Sequence, residues 1–308
     1  MTDSFLIVAQ QVLILFILIG AGFICGKKRL ITDSSAKHMT DIVLYLVTPC
    51  VIIRAFQREL DVNMLGNLGI SCLAALFIHL GTILLCRLVI RDKNEGSKKV
   101  LQFGAVFSNC AFMSIPLQQA LLGNDGVFYA GAFIAVFNVF VWTYGLFSMS
   151  GDKSVLSVKK LIFNPGIIGV VIGLALYLSQ LLLPEIIITP ISYLADLNTP
   201  LPMLIIGFYL SQSDLRRAFA DINSYITMAI RLVVVPLTAL FVMLMLGIRG
   251  AVLVSCIISC AAPIAAITTM FSAKYNRDTE LSVSIVSATT LLSIVTMPLI
   301  VGLAQSFS

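Results

Sequence analysis

Within the segment Ser108–Gly123, SNCAFMSIPLQQALLG, an asparagine, a proline and two glutamines interrupt a long apolar run. Each is costly in an apolar surrounding unless its polar groups find partners. Asn109 and Ser114 offer hydrogen bonds to a bound carboxylate or its hydrating water. Pro116 removes a backbone donor and disfavours helical geometry at Ile115. A second interruption lies in SCAAPIAAITTMF, where Pro263 follows Ser259 and precedes Thr268. A bend in both helices, crossing near mid-membrane, would leave two half-helix N-termini, near Pro116 and near Pro263, aimed at the crossing. Their partial positive charges and free N–H groups make an anion-attracting place.

Other residues could join it. Asn138 is the amide in a stripe of Gly131, Ala135, Asn138, Trp142 and Gly145. Thr48–Pro49 and Thr199–Pro200 predict kinks beside the same cavity, with Thr48 a further candidate contact and Pro49 and Pro200 the breaks. Ser282, Thr289, Ser293 and Thr296 form a stripe that reads as a helix-packing surface. Gln118 and Gln119 lie toward the outer end of their helix, where a solvated vestibule would satisfy them as well as a substrate would. Arg231 is the cation set well within a span. It either offsets the charge of an anion, pairs with Asp196, or extends to the cytoplasmic face, the last being the preferred reading. His79 reads as a packed hydrogen-bonder rather than a proton shuttle. Cys256 and Cys260 fall one turn apart, but nothing nearby completes a ligand set, so no metal and no cofactor is expected. No HExxH, GxSxG or paired-aspartate motif falls in a span, which speaks against an enzyme.

The elements that would carry these residues follow from composition. The 308 residues are 59% hydrophobic and 11% charged, against about a quarter charged in soluble domains. Apolar runs of about 20 residues recur along the chain, the length that crosses a bilayer. The class is an all-α polytopic membrane protein. Ten spans are expected: 5–26, 39–56, 64–90, 100–122, 127–149, 165–183, 191–210, 226–246, 251–272 and 281–304. Phe5–Gly26 is longer than a signal-peptide core and reads as a retained helix. Lys and Arg crowd the loops after odd-numbered spans: Lys27, Lys28, Arg29, Lys37, Arg87, Arg91, Lys93, Lys98, Lys99, Lys153, Lys159, Lys160, Arg216, Arg217, Lys274 and Arg277. Loops after even-numbered spans hold Arg54, Arg58 and Arg249. The bias puts both termini outside the cytoplasmic (inner) membrane. The net charge of +5 is this topological signal and gives no reason to expect nucleic acid.

The halves echo one another. VTPCVII (Val47–Ile53) recurs loosely as NTPLPMLII (Asn198–Ile206), and SNCAF as SCAAP, both at an offset of 151. IGAGF and IGLAL align at 153. Residues 1–149 and 150–308 are therefore expected to be two five-span repeats. Five being odd, the second must run inverted, a signature of secondary transporters.

These residues resemble a family. NCAFMSIPLQQALLGNDGVFYAGAFIAVFNVFVWTYG (Asn109–Gly145) is similar to the span 4–5 signature of the auxin efflux carrier family, in its bacterial branch. LILFILIGAGFICGKKRLI and LYLVTPCVI resemble that family's first two spans. The resemblance implies crossed, broken spans 4 and 9, a homodimer held by a scaffold of spans 1, 2, 6 and 7, and elevator-like movement of the remainder. It maps the crossover asparagine and proline onto Asn109 and Pro116, and the second crossover proline onto Pro263. Plant members export auxin, while bacterial members are associated with malate, malonate and similar acids. The long cytoplasmic loop of many plant carriers is missing here, so its regulation does not carry over.

The expected function is alternating-access transport of small organic anions across the bilayer. A transporter-like receptor that binds without flux is the alternative. The acids nearly all fall near span ends: Asp41, Asp125, Asp214, Asp278 and Glu280, with Asp196, before the Thr199–Pro200 kink, the candidate for a deeper position. Coupling to protons, to sodium or to membrane potential is therefore open.

Overall fold

The computed structural model describes residues 2–152 and 163–308. Lys153, Lys159 and Lys160, part of the charge bias, lie outside the described residues.

Helix α1 (Thr2–Lys27) is followed by α2 (Asp33–Ile42), which passes through a π turn at Val43–Val47 into α3 (Thr48–Phe56). Then come α4 (Val62–Val89), α5 (Glu95–Val106) and α6 (Ser114–Phe140), continued by a π turn into α7 (Leu146–Ser150). The second part holds α8 (Pro165–Leu178), α9 (Glu185–Asp196), α10 (Pro200–Gln212) and α11 (Ile222–Ala229). It ends with α12 (Val235–Met245), α13 (Gly250–Ala261), α14 (Ile267–Lys274) and α15 (Thr279–Gln305). Among the described residues, seven helical stretches are long and apolar enough to cross a membrane, and α8 and α13 are shorter apolar helices. The outer faces confirm the solvent: Leu13, Ile17, Phe77, Leu84, Phe241 and Met245 are exposed. An apolar surface of that extent is stable against hydrocarbon, not water.

Side-chain caps start several of these helices. Asn94 accepts from the N–H groups of Gly96 and Ser97 to start α5, and Asn164 does the same for Gly166 and Ile167 to start α8, with Pro165 at the first helical position. The longest apolar stretch, Ser114–Ser150, is split by Gly123 at φ 60°, ψ −145°. That conformation is open to glycine and strained for other residues. It kinks the chain between the first part of α6 and the rest.

Two groups of helices pack within themselves and also against each other, α1 lying on α15 and both α3 and α8 on α6. α1 lies along α10 with glycines at the contact: a methyl at Gly22 would overlap the Leu204 backbone, and one at Gly207 would meet Phe23 N at 2.6 Å. α3 packs on α8, where Gly169 faces Pro49 and Gly173 faces Phe56. Phe56 is fully buried and meets Phe128 at 4.6 Å and Tyr177 at 6.2 Å between ring centroids. The other group forms around α6 and α13, flanked by α4, α5 and α15. Ion pairs at the helix ends are peripheral: Arg54–Asp196 and Arg58–Asp125, each at 2.6 Å.

Candidate functional site

Two chain breaks meet at the middle of the second group. α5 ends at Val106 and α6 begins at Ser114; α13 ends at Ala261 and α14 begins at Ile267. The intervening segments pair as a short antiparallel bridge between Ser108 and Ile264. Asn109 N donates to Pro263 O at 2.7 Å, and Ala265 N donates to Phe107 O at 2.9 Å. Backbone groups at the bridge thus satisfy one another, as a low-dielectric surrounding favours. Ile264 N is received by Thr289 Oγ1 at 3.3 Å.

The prolines play unequal parts. Pro263 lies in the extended crossing itself, where its missing N–H costs nothing. Pro116 sits in the first turn of α6, behind Ser114 and Ile115, a position where a helix needs no N–H. The break in span 4 is therefore centred on residues 107–113, before Pro116. Asn109 stands in the crossing rather than on a helical face shared with Pro116.

Behind the bridge is a closed polar cluster. Gln118 Nε2 donates to Ser114 Oγ at 2.8 Å and Ser259 Oγ at 2.9 Å, while Ser255 Oγ donates to Gln118 Oε1 at 2.6 Å. Ser108 Oγ donates to Ser259 O at 2.8 Å. Gln118 is fully buried, so the expected vestibule is replaced by a fixed joint between α6 and α13.

Arg231 corrects a second expectation. It is 1% exposed and does not reach the membrane surface. Its NH1 donates to Ala105 O at 3.3 Å and Val106 O at 3.2 Å, and its NH2 to Cys260 O. Asp196 is elsewhere, paired with Arg54. His79 is also internal, its Nδ1–H donating to Ala75 O at 2.7 Å and its ring stacked on Phe140. Cys256 donates to Ser71 Oγ, and Cys260 faces the Ile257 carbonyl within its own helix.

On the other side of the bridge a cavity of about 410 Å³ opens between the two helix groups. Thr40, Asp41, Tyr45, Thr48, Asn164, Ile205 and Tyr209 line it from the first group. Ser108, Asn109, Phe112, Asn138, Trp142, Ala266 and Phe271 line it from the second. Of the expected contacts, Asn109, Asn138 and Thr48 meet here. Ser114 and Ser259 belong to the closed cluster behind, and Thr268 is buried without lining the cavity. Asn138 already donates to Ile134 O at 2.9 Å, and Thr48 to Val43 O at 2.9 Å across the π turn before Pro49. Pro200 opens α10 after a break at residues 197–199.

Asn109 is different. Its backbone is held at both ends, by Pro263 O and by Met113 N at 3.2 Å, yet its side-chain amide has no hydrogen-bond partner among the described residues. Donor and acceptor are both presented to the cavity. Beside it lie the first residues of α14, Ala266 and Ile267. Among the described residues no lysine or arginine lines the space, and Asp41 is its carboxylate. Sequence reasoning missed Asn164, Thr40 and Tyr209. For Asn164 a signal existed, the Asn-Pro pair that marks a helix start. For the other two the alignment of separate helices decides, and no local pattern carries it.

Comparison with known proteins agrees with this architecture. A profile described as membrane transport protein matches residues 7–301. An uncharacterized transporter of Methanocaldococcus jannaschii is 23% identical over 299 residues, covering 94% of this chain and 96% of its own. One of Methanothermobacter thermautotrophicus is 23% identical over 296 residues, with the same coverage. Protein ECM3 of Saccharomyces cerevisiae is 24% identical over 152 residues, 46% of this chain and 25% of its own. With its apolar spans and a match over nearly its whole length, the chain is a multi-pass membrane protein and belongs to the membrane transport protein family, the auxin efflux carrier family its sequence resembles.

Proposed function

We propose that the protein carries small organic anions across the cytoplasmic membrane by alternating access. The observation that carries this reading is Asn109. Its unpartnered amide faces a cavity of about 410 Å³, within the range of small-molecule sites. A carboxylate placed there would accept from the Asn109 amide and from N–H groups opening α14, and an apolar body would lie against Phe112, Phe137 and Trp142.

In this reading ten spans form two inverted repeats, 1–149 and 150–308. Supporting it, α1 meets α10 as α3 meets α8, which are equivalent pairings if span 1 corresponds to span 6 and span 2 to span 7. The bridge at Ser108 and Ile264 is reciprocal, as a pseudo-twofold axis through the crossing would require. The cavity lies along the boundary between α1–α3 with α8–α10 and the remaining helices. Sliding of one group past the other would expose it to either side in turn, the elevator type of cycle. Both termini face outside, and the exposed apolar faces of α1, α8 and α9 are free for lipid or for the second copy of a homodimer.

The test is uptake of labelled malate, malonate and indole-3-acetate into proteoliposomes, with imposed proton, sodium and voltage gradients. Saturable flux of one acid supports the carrier, and the gradient that drives it names the coupling. Binding without flux would make the protein a receptor and overturn the proposal, as would neither.

A further inference from the structure

At the crossing four helix ends converge. α6 and α14 begin there and bring partial positive charge; α5 and α13 end there and bring partial negative charge of similar size. Left alone, the two C-termini would cancel much of the attraction that the two N-termini exert on an anion. The carbonyls at stake are those of Ala105, Val106 and Cys260, the last residues of α5 and α13. All three accept from one side chain, Arg231.

Its situation is unusual for a buried cation. Arg231 is 1% exposed, and among the described residues no carboxylate pairs with it. Its ionisable neighbours are the thiols of Cys86, Cys110 and Cys260 and the His79 ring, none of them a carboxylate. Nε is buried with no partner. A guanidinium so placed is costly, since the usual compensation is a paired acid. Two helix C-termini supply that compensation instead. Nor does Arg231 line the cavity, so it does not bind a substrate directly.

We infer that Arg231 is a positioning residue for charge: it neutralises the C-terminal ends of α5 and α13 so that the N-terminal ends of α6 and α14 act on the substrate unopposed. This deepens the anion-carrier reading and rests on it. The fork geometry of arginine matters for holding two helix ends together, whereas the charge matters for the anion. The two roles separate by substitution. Arg231→Gln keeps hydrogen bonding and removes charge; Arg231→Lys keeps charge and loses the fork.

The experiment measures KM and kcat for whichever of malate, malonate and indole-3-acetate the wild type carries, with melting temperature in detergent as the control for folding. Arg231→Gln is expected to raise KM about tenfold, a size consistent with helix-end electrostatics in a buried setting. Arg231→Lys is expected to lower the melting temperature while keeping KM within about threefold. A folded Arg231→Gln protein with wild-type KM overturns the inference. So does an Arg231→Lys protein whose KM rises as far as that of the glutamine variant. Should the glutamine variant not fold, the lysine variant decides alone, on the same threefold against tenfold criterion. Wild-type protein that moves none of the three acids refutes the carrier reading itself, a result distinct from any of these.

Discussion

Asn109 donates its backbone N–H to Pro263 O at 2.7 Å, so the residue that faces the cavity is pinned by the opposite broken helix. Each break holds the other's backbone in place. The Asn109 side chain is thereby oriented without being used up, which is what a pre-organised contact requires.

Asn109→Ala follows directly. The amide has no partner in the protein, so its loss should cost little stability, within about 0.5 kcal/mol as for substitutions away from structural interactions. Flux of the carried acid in proteoliposomes should fall at least about tenfold, the weight of one charge-assisted hydrogen bond. Unchanged flux would remove Asn109 from the site.

Gln118→Ala should behave in the opposite way. Gln118 bonds Ser114, Ser255 and Ser259, and hydrogen bonds between membrane helices average about 0.6 kcal/mol each. With the bonds to Ser255 and Ser259 crossing to α13 and that to Ser114 within α6, a loss of about 1 kcal/mol is expected before the cost of the void. The check is a double-mutant cycle with Ser255→Ala read by denaturant unfolding, where a coupling energy near zero would contradict the joint.

Thr289→Val leaves Ile264 N without its acceptor inside the crossing. A buried unsatisfied donor costs about 1–3 kcal/mol. Thr289→Ser retains the hydroxyl and should be close to neutral. Equal melting temperatures for the serine and valine variants would show that Thr289 matters only as volume.

At the start of α15, Asp278 receives Arg217 at 2.8 Å, Ser97 Oγ at 2.8 Å and Leu281 N at 3.1 Å. Partial burial raises its pKa, but the bonds from Arg217, Leu281 and Ser97 outweigh this and hold the carboxyl below its ordinary value. A lowered folded pKa gives stability that is complete above the unfolded value and lost as pH falls through the folded one. Melting temperature should thus decline on acidification below about pH 4, where free aspartate titrates. Asp278→Asn should flatten that part of the profile.

Much of the framework was readable because it rests on local chemistry. Apolar run length announced a helical, many-span membrane protein, and the polar interruption at Asn109 announced the crossing. What escaped depended on distant pairing. The local rule that proline breaks a helix located the break at Pro116, yet the bridge to Pro263 and Ile264 sets it several residues earlier and leaves Pro116 a harmless first-turn residue. Arg231 was expected to reach water because a lone cation in a span ordinarily must. No sequence pattern reveals that two helix ends, far apart in the chain, would gather around it. Gln118 likewise found its partners on α13, across more than a hundred residues.

The glycine seam between α1 and α10 has a mechanical meaning. Where Gly22 meets Leu204 and Gly207 meets Phe23, main chain touches main chain with no layer of side chains between them. Side chains can change rotamer and act as bearings; two backbones in contact cannot. These helices form one beam, and the chain has no slack along that line to absorb a stroke. In the carrier proposed above, travel would be taken up along the cavity, with the seam as the fixed rail.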